Sequence, residues 1–273
     1  MTAKIALRDV RQVFSVRAAG DREAHEFVAL EGLDLEVQNG ELLTLVGPSG
    51  CGKSTVLDLV SGLARPAAGV VEVDGERVTG PGLNRGVVFQ QYTLLPWRTA
   101  LGNIEFALEA AGGAGRAERR RTAEEYLELV GLTEFADRYP HELSGGMKQR
   151  VAIARSLSYQ PDVLLMDEPF GALDAQTRER LQEELLQIWR RTGTTIVFIT
   201  HDIEEAVFLG QRVAVMSARP GRIRTTLSIV LDRTSTEDDV RSTAQFAKYR
   251  HQIWEMLRQP VAAARVEEVN RVA

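Results

Sequence analysis

The chain has 273 residues, 44% of them hydrophobic and 26% charged, which is the usage of a folded protein rather than a disordered one. Its 33 Lys and Arg against 38 Asp and Glu leave a net charge of −5, so no overall basic field recommends DNA or RNA as a partner. The single cysteine, Cys51, excludes an intrachain disulfide and any metal site built from cysteines alone.

No segment approaches the ~18 consecutive apolar residues that span a bilayer. The start, Met1 to Arg8, meets charge before an apolar signal-peptide core could develop. The expectation is a cytoplasmic chain whose membrane contact goes through a partner.

Strands are expected first at 3–9, 27–37, 41–46, 69–74 and 85–89, short stretches rich in Val, Ile and Leu and often bounded by Gly, Pro or Asp. The third runs straight into Gly47-Pro48-Ser49-Gly50-Cys51-Gly52-Lys53-Ser54, with a helical run from Thr55. This is G-x-x-x-x-G-K-[ST] between a strand and a helix. Its glycines let backbone N–H groups wrap a phosphate, and the helix N-terminus adds partial positive charge. Lys53 should reach the β- and γ-phosphates, and the Ser54 hydroxyl should ligate Mg²⁺. Cys51 is expected to contribute its backbone and carry an inert thiol; the other reading is an oxidation-sensitive thiol at a helix start.

From about 100 to 158 helical spacing takes over, as in Ala123, Tyr126, Leu127 and Val130. The basic run Arg116, Arg119, Arg120 and Arg121 has Glu118, Glu124 and Glu125 among it. Pairs such as Arg121–Glu125 therefore suggest a solvated face, with contact to anionic headgroups as the second reading. Leu143-Ser144-Gly145-Gly146-Met147 then opens another helix, with Ser144 as its cap and two glycines exposing N–H groups. Alone this is often just a capped helix. As a second phosphate device, it could reach the same nucleotide only from another chain arranged head to tail.

The strand expected at 162–167 ends in Asp167-Glu168. Asp167 fits a place in the Mg²⁺ shell beside Ser54, which leaves Glu168 free to take a proton from an attacking water. Strands at 194–199, 212–216 and 222–230 follow. The tail from Thr236 places Phe246, Tyr249, Ile253 and Leu257 on one helical stripe, suited to packing on its own body or, second, to a partner.

Six of these segments, in order, resemble the motifs of ATP-binding-cassette (ABC) ATPases. Gly47–Ser54 resembles Walker A, Val88-Phe89-Gln90 the Q-loop and Leu143–Met147 the signature. Asp167-Glu168 resembles the end of Walker B, Gly171-Ala172-Leu173-Asp174 the D-loop and Thr200-His201-Asp202 the switch histidine. Met147 stands where the commonest signature has Gln, and Gly171 where Ser is common; neither change removes a catalytic group.

The resemblance implies an α/β fold with a RecA-like P-loop NTPase core, an antiparallel β-subdomain and an inserted helical subdomain. Its boundaries would be 1–90 with 159–235 for the core, 91–158 for the helical part and 236–273 for a C-terminal tail. It implies two ATPs with Mg²⁺, each held between Walker A of one copy and the signature of a second copy. Gln90 would touch Mg²⁺ or the attacking water, and His201 the γ-phosphate. Ser144, Gly145 and Gly146 would clasp that phosphate in trans, and Asp174 would join the dimer contact. Phe14 is the expected aromatic under adenine, with Phe27 as its rival because an insert, Ala18–Glu26, disturbs the region.

Finer features, such as Leu94-Leu95-Pro96-Trp97, resemble importers of the nitrate/sulfonate/taurine group, with the tail nearer the taurine branch. The implied role is peripheral on the cytoplasmic face of the membrane. There the chain would couple ATP hydrolysis to two transmembrane permease subunits, whose coupling helices dock near Tyr92, Leu94, Leu95 and Trp97. An extracytoplasmic binding protein would deliver taurine or an alkanesulfonate. The alternatives are nitrate, bicarbonate or a pyrimidine precursor, and more distantly an exporter subunit or a soluble ABC ATPase.

Overall fold

The structure, a computed structural model, describes residues 3–16, 25–112, 115–232 and 240–258. Most of the insert expected at 18–26 and much of the 236–273 tail lie outside these residues.

The chain opens with β1 (Ile5–Val16) and β2 (His25–Val37), an antiparallel ribbon in which Phe14 stands opposite Phe27. β3 (Leu42–Val46) is buried throughout and hands over through the glycine-rich loop to α1 (Lys53–Ser61). β4 (Ala68–Val73) returns to pair with β1, and the two-residue β5 (Glu76–Arg77), which the sequence pattern does not reveal, pairs with β4. β6 (Arg85–Val88) is followed by α2 (Ala100–Ala111), α3 (Arg116–Leu129) and α4 (Gly145–Leu157). After these come β7 (Val163–Asp167), α5 (Ala175–Thr192), β8 (Thr195–Thr200), α6 (Ile203–Leu209), β9 (Arg212–Met216), β10 (Ile223–Ser228) and α7 (Ala244–Arg258).

Two sheets result, one ordered β2-β1-β4-β5 and the other β10-β9-β3-β8-β7-β6. The strands from β9 to β6 run parallel, while β10 closes the far edge antiparallel. Strands buried on both faces are mostly apolar, and β3, β7 and β8 are so except at Thr44, whose hydroxyl donates to Ala206 O, and at the end residues Asp167, Thr195 and Thr200. Successive side chains point to opposite faces, so the sheet divides its residues between two cores. Leu43, Leu45, Val163, Leu165, Val197 and Ile199 face α1 and the antiparallel sheet. Leu42, Val46, Leu164, Met166, Ile196 and Phe198 face the other way, toward a cluster that includes residues of α2 to α7.

In the helical stretch, Ala123 and Leu127 carry α3 into that second core. The arginine-rich face is solvated, with Arg120–Glu124 at 3.0 Å and Arg121–Glu125 at 3.9 Å. Among the described residues no helix is long and apolar enough to cross a membrane. The stripe on α7 packs on its own body: Phe246 and Ile253 are buried, and Tyr249 and Leu257 cover them.

If α7 is an integral part of this core, Phe246→Ala should lower unfolding free energy by roughly 3–5 kcal/mol, the usual cost of emptying a buried aromatic site. Urea denaturation followed by circular dichroism measures it. A loss under about 1 kcal/mol would mean that the helix rests on the core without belonging to it.

Candidate functional site

Parallel pairing decides where the motifs meet. β8 lies between β3 and β7, with Val46 opposite Thr200 and Asp167 opposite Ile199. The C-terminal ends of three strands therefore open on one edge, the side of an α/β sheet that binds ligands. Residues near 47, 168 and 201 become neighbours because of that register.

The loop after β3 turns through Gly50 and Gly52, both in left-handed conformations at φ 71° and 100°. A side chain at Gly52 would also strike Leu30 Cδ2 at 2.6 Å. Cys51 turns inward and is buried, and desolvation raises its thiol pKa even with Lys53 close by. That direction disfavours the thiolate, so the inert reading holds and the low-pKa one falls. Lys53 is buried too. Its ammonium donates to the carbonyls of Gly47 at 2.9 Å and Pro48 at 3.2 Å, which keeps it folded over the loop.

Asp167 and Ser54 touch through a side-chain hydrogen bond, and burial pushes the Asp167 carboxyl up. A hydroxyl and a carboxylate side by side are hard oxygen donors. They fit Mg²⁺, which takes one or two protein oxygens and fills its shell with water and phosphate.

Glu168 has φ 43°, a left-handed conformation that costs a residue with a side chain about 1–2 kcal/mol. It is held there at both ends: its N–H donates to Ile199 O at 2.9 Å, and its carbonyl accepts from Gly171 N at 3.1 Å. Its carboxylate Oε2 lies 2.8 Å from His201 Nδ1. This backbone aims the Glu168 carboxylate at the histidine that follows the neighbouring strand.

A cavity of about 660 Å³ covers this edge. It is lined by the loop from Ser49 to Thr55, by Glu168 and His201, by Phe14 and Phe27, and by Arg219, which sequence reasoning missed. No phosphate-loop pattern marks Arg219; it sits in the turn between β9 and β10, where the Arg219–Pro220 peptide is cis.

Gln90, Ser144, Gly145, Gly146 and Asp174 do not line the cavity. Gln90 is exposed at the end of β6. Ser144 caps α4, accepting from Met147 N at 3.3 Å. Asp174 caps α5, accepting from Thr177 N at 3.0 Å, and that backbone hydrogen bond holds its carboxyl below the usual range.

Behind His201 is a buried polar cluster that the sequence did not suggest. Glu205 accepts from the Thr200 hydroxyl and, at 3.1 Å, from Gln182 Nε2; Gln182 in turn accepts from Arg241 at 2.7 Å. The Thr200 hydroxyl also accepts from Asp202 N at 3.0 Å. The segment carrying His201 is thus pinned on both sides.

Comparison with known proteins agrees with this geometry. The family described as "ABC transporter" matches residues 30–171. A nitrate import ATP-binding protein of Synechocystis is 52% identical over 85% of this chain and 88% of its own length. An uncharacterized ABC transporter ATP-binding protein of Methanocaldococcus jannaschii is 48% identical over 96% of this chain and 94% of its own. Among solved structures, a dimeric ATP-binding cassette in a post-hydrolysis state with ADP and phosphate superposes with a TM-score of 0.70. It is 33% identical and is covered over 83% of this chain and 99% of that one.

Burial is the main influence on Glu205, and it raises that carboxyl. The folded state therefore binds this proton more tightly than the unfolded chain does. The resulting stability is present at low pH and fades as pH rises above the ordinary glutamate value of about 4.3. Glu205→Gln removes the titrating group and keeps one acceptor oxygen, while its amide nitrogen can only donate. It should lose that part of the pH slope in thermal melts from pH 4 to 8, with a constant offset for the lost acceptor. Glu205→Ala should melt lower at every pH, because it orphans Thr200 and Gln182.

Proposed function

The chain belongs to the ABC transporter family of ATP-hydrolysing subunits, and from that premise we propose that it powers an importer of nitrate or a similar small anion. The observation that carries the catalytic part is the strained Glu168 at the edge, 2.8 Å from His201 and beside the Ser54–Asp167 pair.

In this reading the amides of 47–54 and Lys53 bind the phosphates of ATP. Lys53 exchanges the carbonyls of Gly47 and Pro48 for phosphate oxygens, since an ammonium has three donors and no acceptor. Thr55 extends the loop into α1. Ser54 and Asp167, together with Gln90, would hold Mg²⁺, which would supply charge neutralisation at the phosphate oxygens. Glu168 takes the proton of the attacking water. Facing an ionised Glu168, His201 must donate from Nδ1, which leaves Nε2 a lone pair. To donate to the γ-phosphate, His201 must gain a second proton or part from Glu168.

Ser144, Gly145, Gly146 and Asp174 complete the site of a second copy. Their absence from this chain's own cavity and their place at helix starts suit such a contact in trans. The core of 1–90 with 159–235, the helical part 91–158 and the tail remain the division that this mechanism uses.

The face for the permease subunits is the loop after β6. Asn103, fully buried, accepts from Leu95 N at 2.8 Å and donates to the carbonyls of Leu95, Arg98 and Thr99. So stapled, the loop presents Trp97, which is 71% exposed, beside Leu94 and Leu95. A large aromatic left in water on a rigid loop suits an interface. Such a surface supports a position at the cytoplasmic face of the membrane, with an extracytoplasmic binding protein acting through the permease.

For the solute, nitrate takes precedence over the taurine or alkanesulfonate suggested by the tail. The support is the identity to a nitrate importer along most of both chains. Bicarbonate and pyrimidine precursors stand behind it.

General-base catalysis is worth about 10²–10⁴ in rate, so Glu168→Gln should lose that much ATPase activity while keeping ATP affinity. A loss of less than about threefold would remove Glu168 from the role. The solute is tested in the complex reconstituted with its permease and binding protein. Nitrate should stimulate ATP hydrolysis where taurine does not; stimulation by taurine alone would overturn the assignment.

A further inference from the structure

We propose that Arg219 is a nucleotide-positioning residue, whose guanidinium stacks on Phe27 and forms the base-side wall of the ATP site, leaving Phe14 as the ring for the base. The proposal rests on the reading of this cavity as the ATP site and goes beyond the six motifs that define it.

Four observations place Arg219 there. Its side chain lines the cavity together with Phe14, Phe27 and the phosphate loop. Its Nε donates to Gly50 O at 2.9 Å, at the tip of that loop. Its guanidinium carbon lies 5.1 Å from the centroid of the Phe27 ring, within cation–π range. A side chain at Gly50 would collide with this guanidinium, so the loop is shaped to accept it.

The turn carrying Arg219 is itself fixed. Gly221 N donates to Ala29 O at 2.8 Å, and Glu31 N donates to Gly221 O at 3.2 Å, which ties the turn to β2. Ser217 N donates to Arg222 O at 3.0 Å and closes its base. A side chain at Gly221 would run into the carbonyl of Cys51, so the turn lies directly on the phosphate loop. Arg219 therefore links two parts of the site that the chain separates widely, the aromatic ribbon and the loop for the phosphates.

This arrangement also decides between the two aromatics. Phe14 and Phe27 are cross-strand partners and share one face of the ribbon. The guanidinium covers Phe27, whereas Phe14 remains 40% exposed toward the cavity. A purine can stack on Phe14 and meet the flat guanidinium beside it. Lysine could not replace that contact, because its ammonium is a point charge without a planar face.

The test separates the base from the phosphates by titrating the full chain with ATP and with inorganic tripolyphosphate. Arg219→Ala should weaken ATP binding about tenfold, as loss of a partly desolvated cation–π wall does, and leave tripolyphosphate within about twofold. Arg219→Lys should fall on the same side as Arg219→Ala, and Phe27→Leu should reproduce the selective loss. Equal weakening of both ligands would show that Arg219 merely braces the loop through Gly50, and no change in either would remove it from the site; both results overturn the proposal. Lys53→Ala tests the underlying reading separately: it should lose both ligands, and if it retains both the cavity is not the phosphate site, whatever Arg219 does.

Discussion

Parallel pairing of β3, β8 and β7 is the constraint on which the site depends. Each is mostly apolar and buried on both faces, so none can slip by a residue without moving its whole set of side chains to the wrong layer. With the register set at Val46–Thr200 and Ile199–Asp167, three loops that lie far apart in the chain must emerge together. The chemistry is placed by hydrophobic burial well away from it.

The edge itself is costly. Glu168 holds a left-handed backbone, Gly50 and Gly52 turn where other residues would clash, and burial pushes up the carboxyls of Asp58 and Asp167, helped by the negative charge of Asp167 on the first and of Glu168 on the second. Local strain of this kind persists only where surrounding structure overrides it. Here the override comes from the two cores that sandwich the sheet and from the Glu205 cluster behind His201. The edge therefore combines a rigid frame with groups whose charges are poorly compensated, the condition under which a bound cation and polyphosphate interact most favourably.

Much of this was legible in the residues. Among the described residues, nine of the ten strands were marked by runs of Val, Ile and Leu, often between Gly, Pro and Asp, and the phosphate loop by glycines whose spacing has a geometric cause. The two-residue β5 was not, because so short a pairing carries no periodicity. The end of β1 was also set too short, at residue 9: the stretch that carries Phe14 on to Val16 is extended by pairing with β2. Arg219, Asn103 and the Glu205–Gln182–Arg241 cluster left no trace in any local pattern, since each owes its position to contacts between distant segments.

The sequence by itself determined which residues can bind phosphate, which carboxylates end a buried strand, and which segments form strands or helices, because these depend on side-chain chemistry and on runs or periods of apolar residues. Only the tertiary structure decided that Glu168 faces His201, that Cys51 turns inward, and that Arg219 covers Phe27 and leaves Phe14 open. Those are questions of which groups from separate elements meet, or of which way a turn rotates a side chain. Packing answers them, because it selects one arrangement from many that the local pattern would allow.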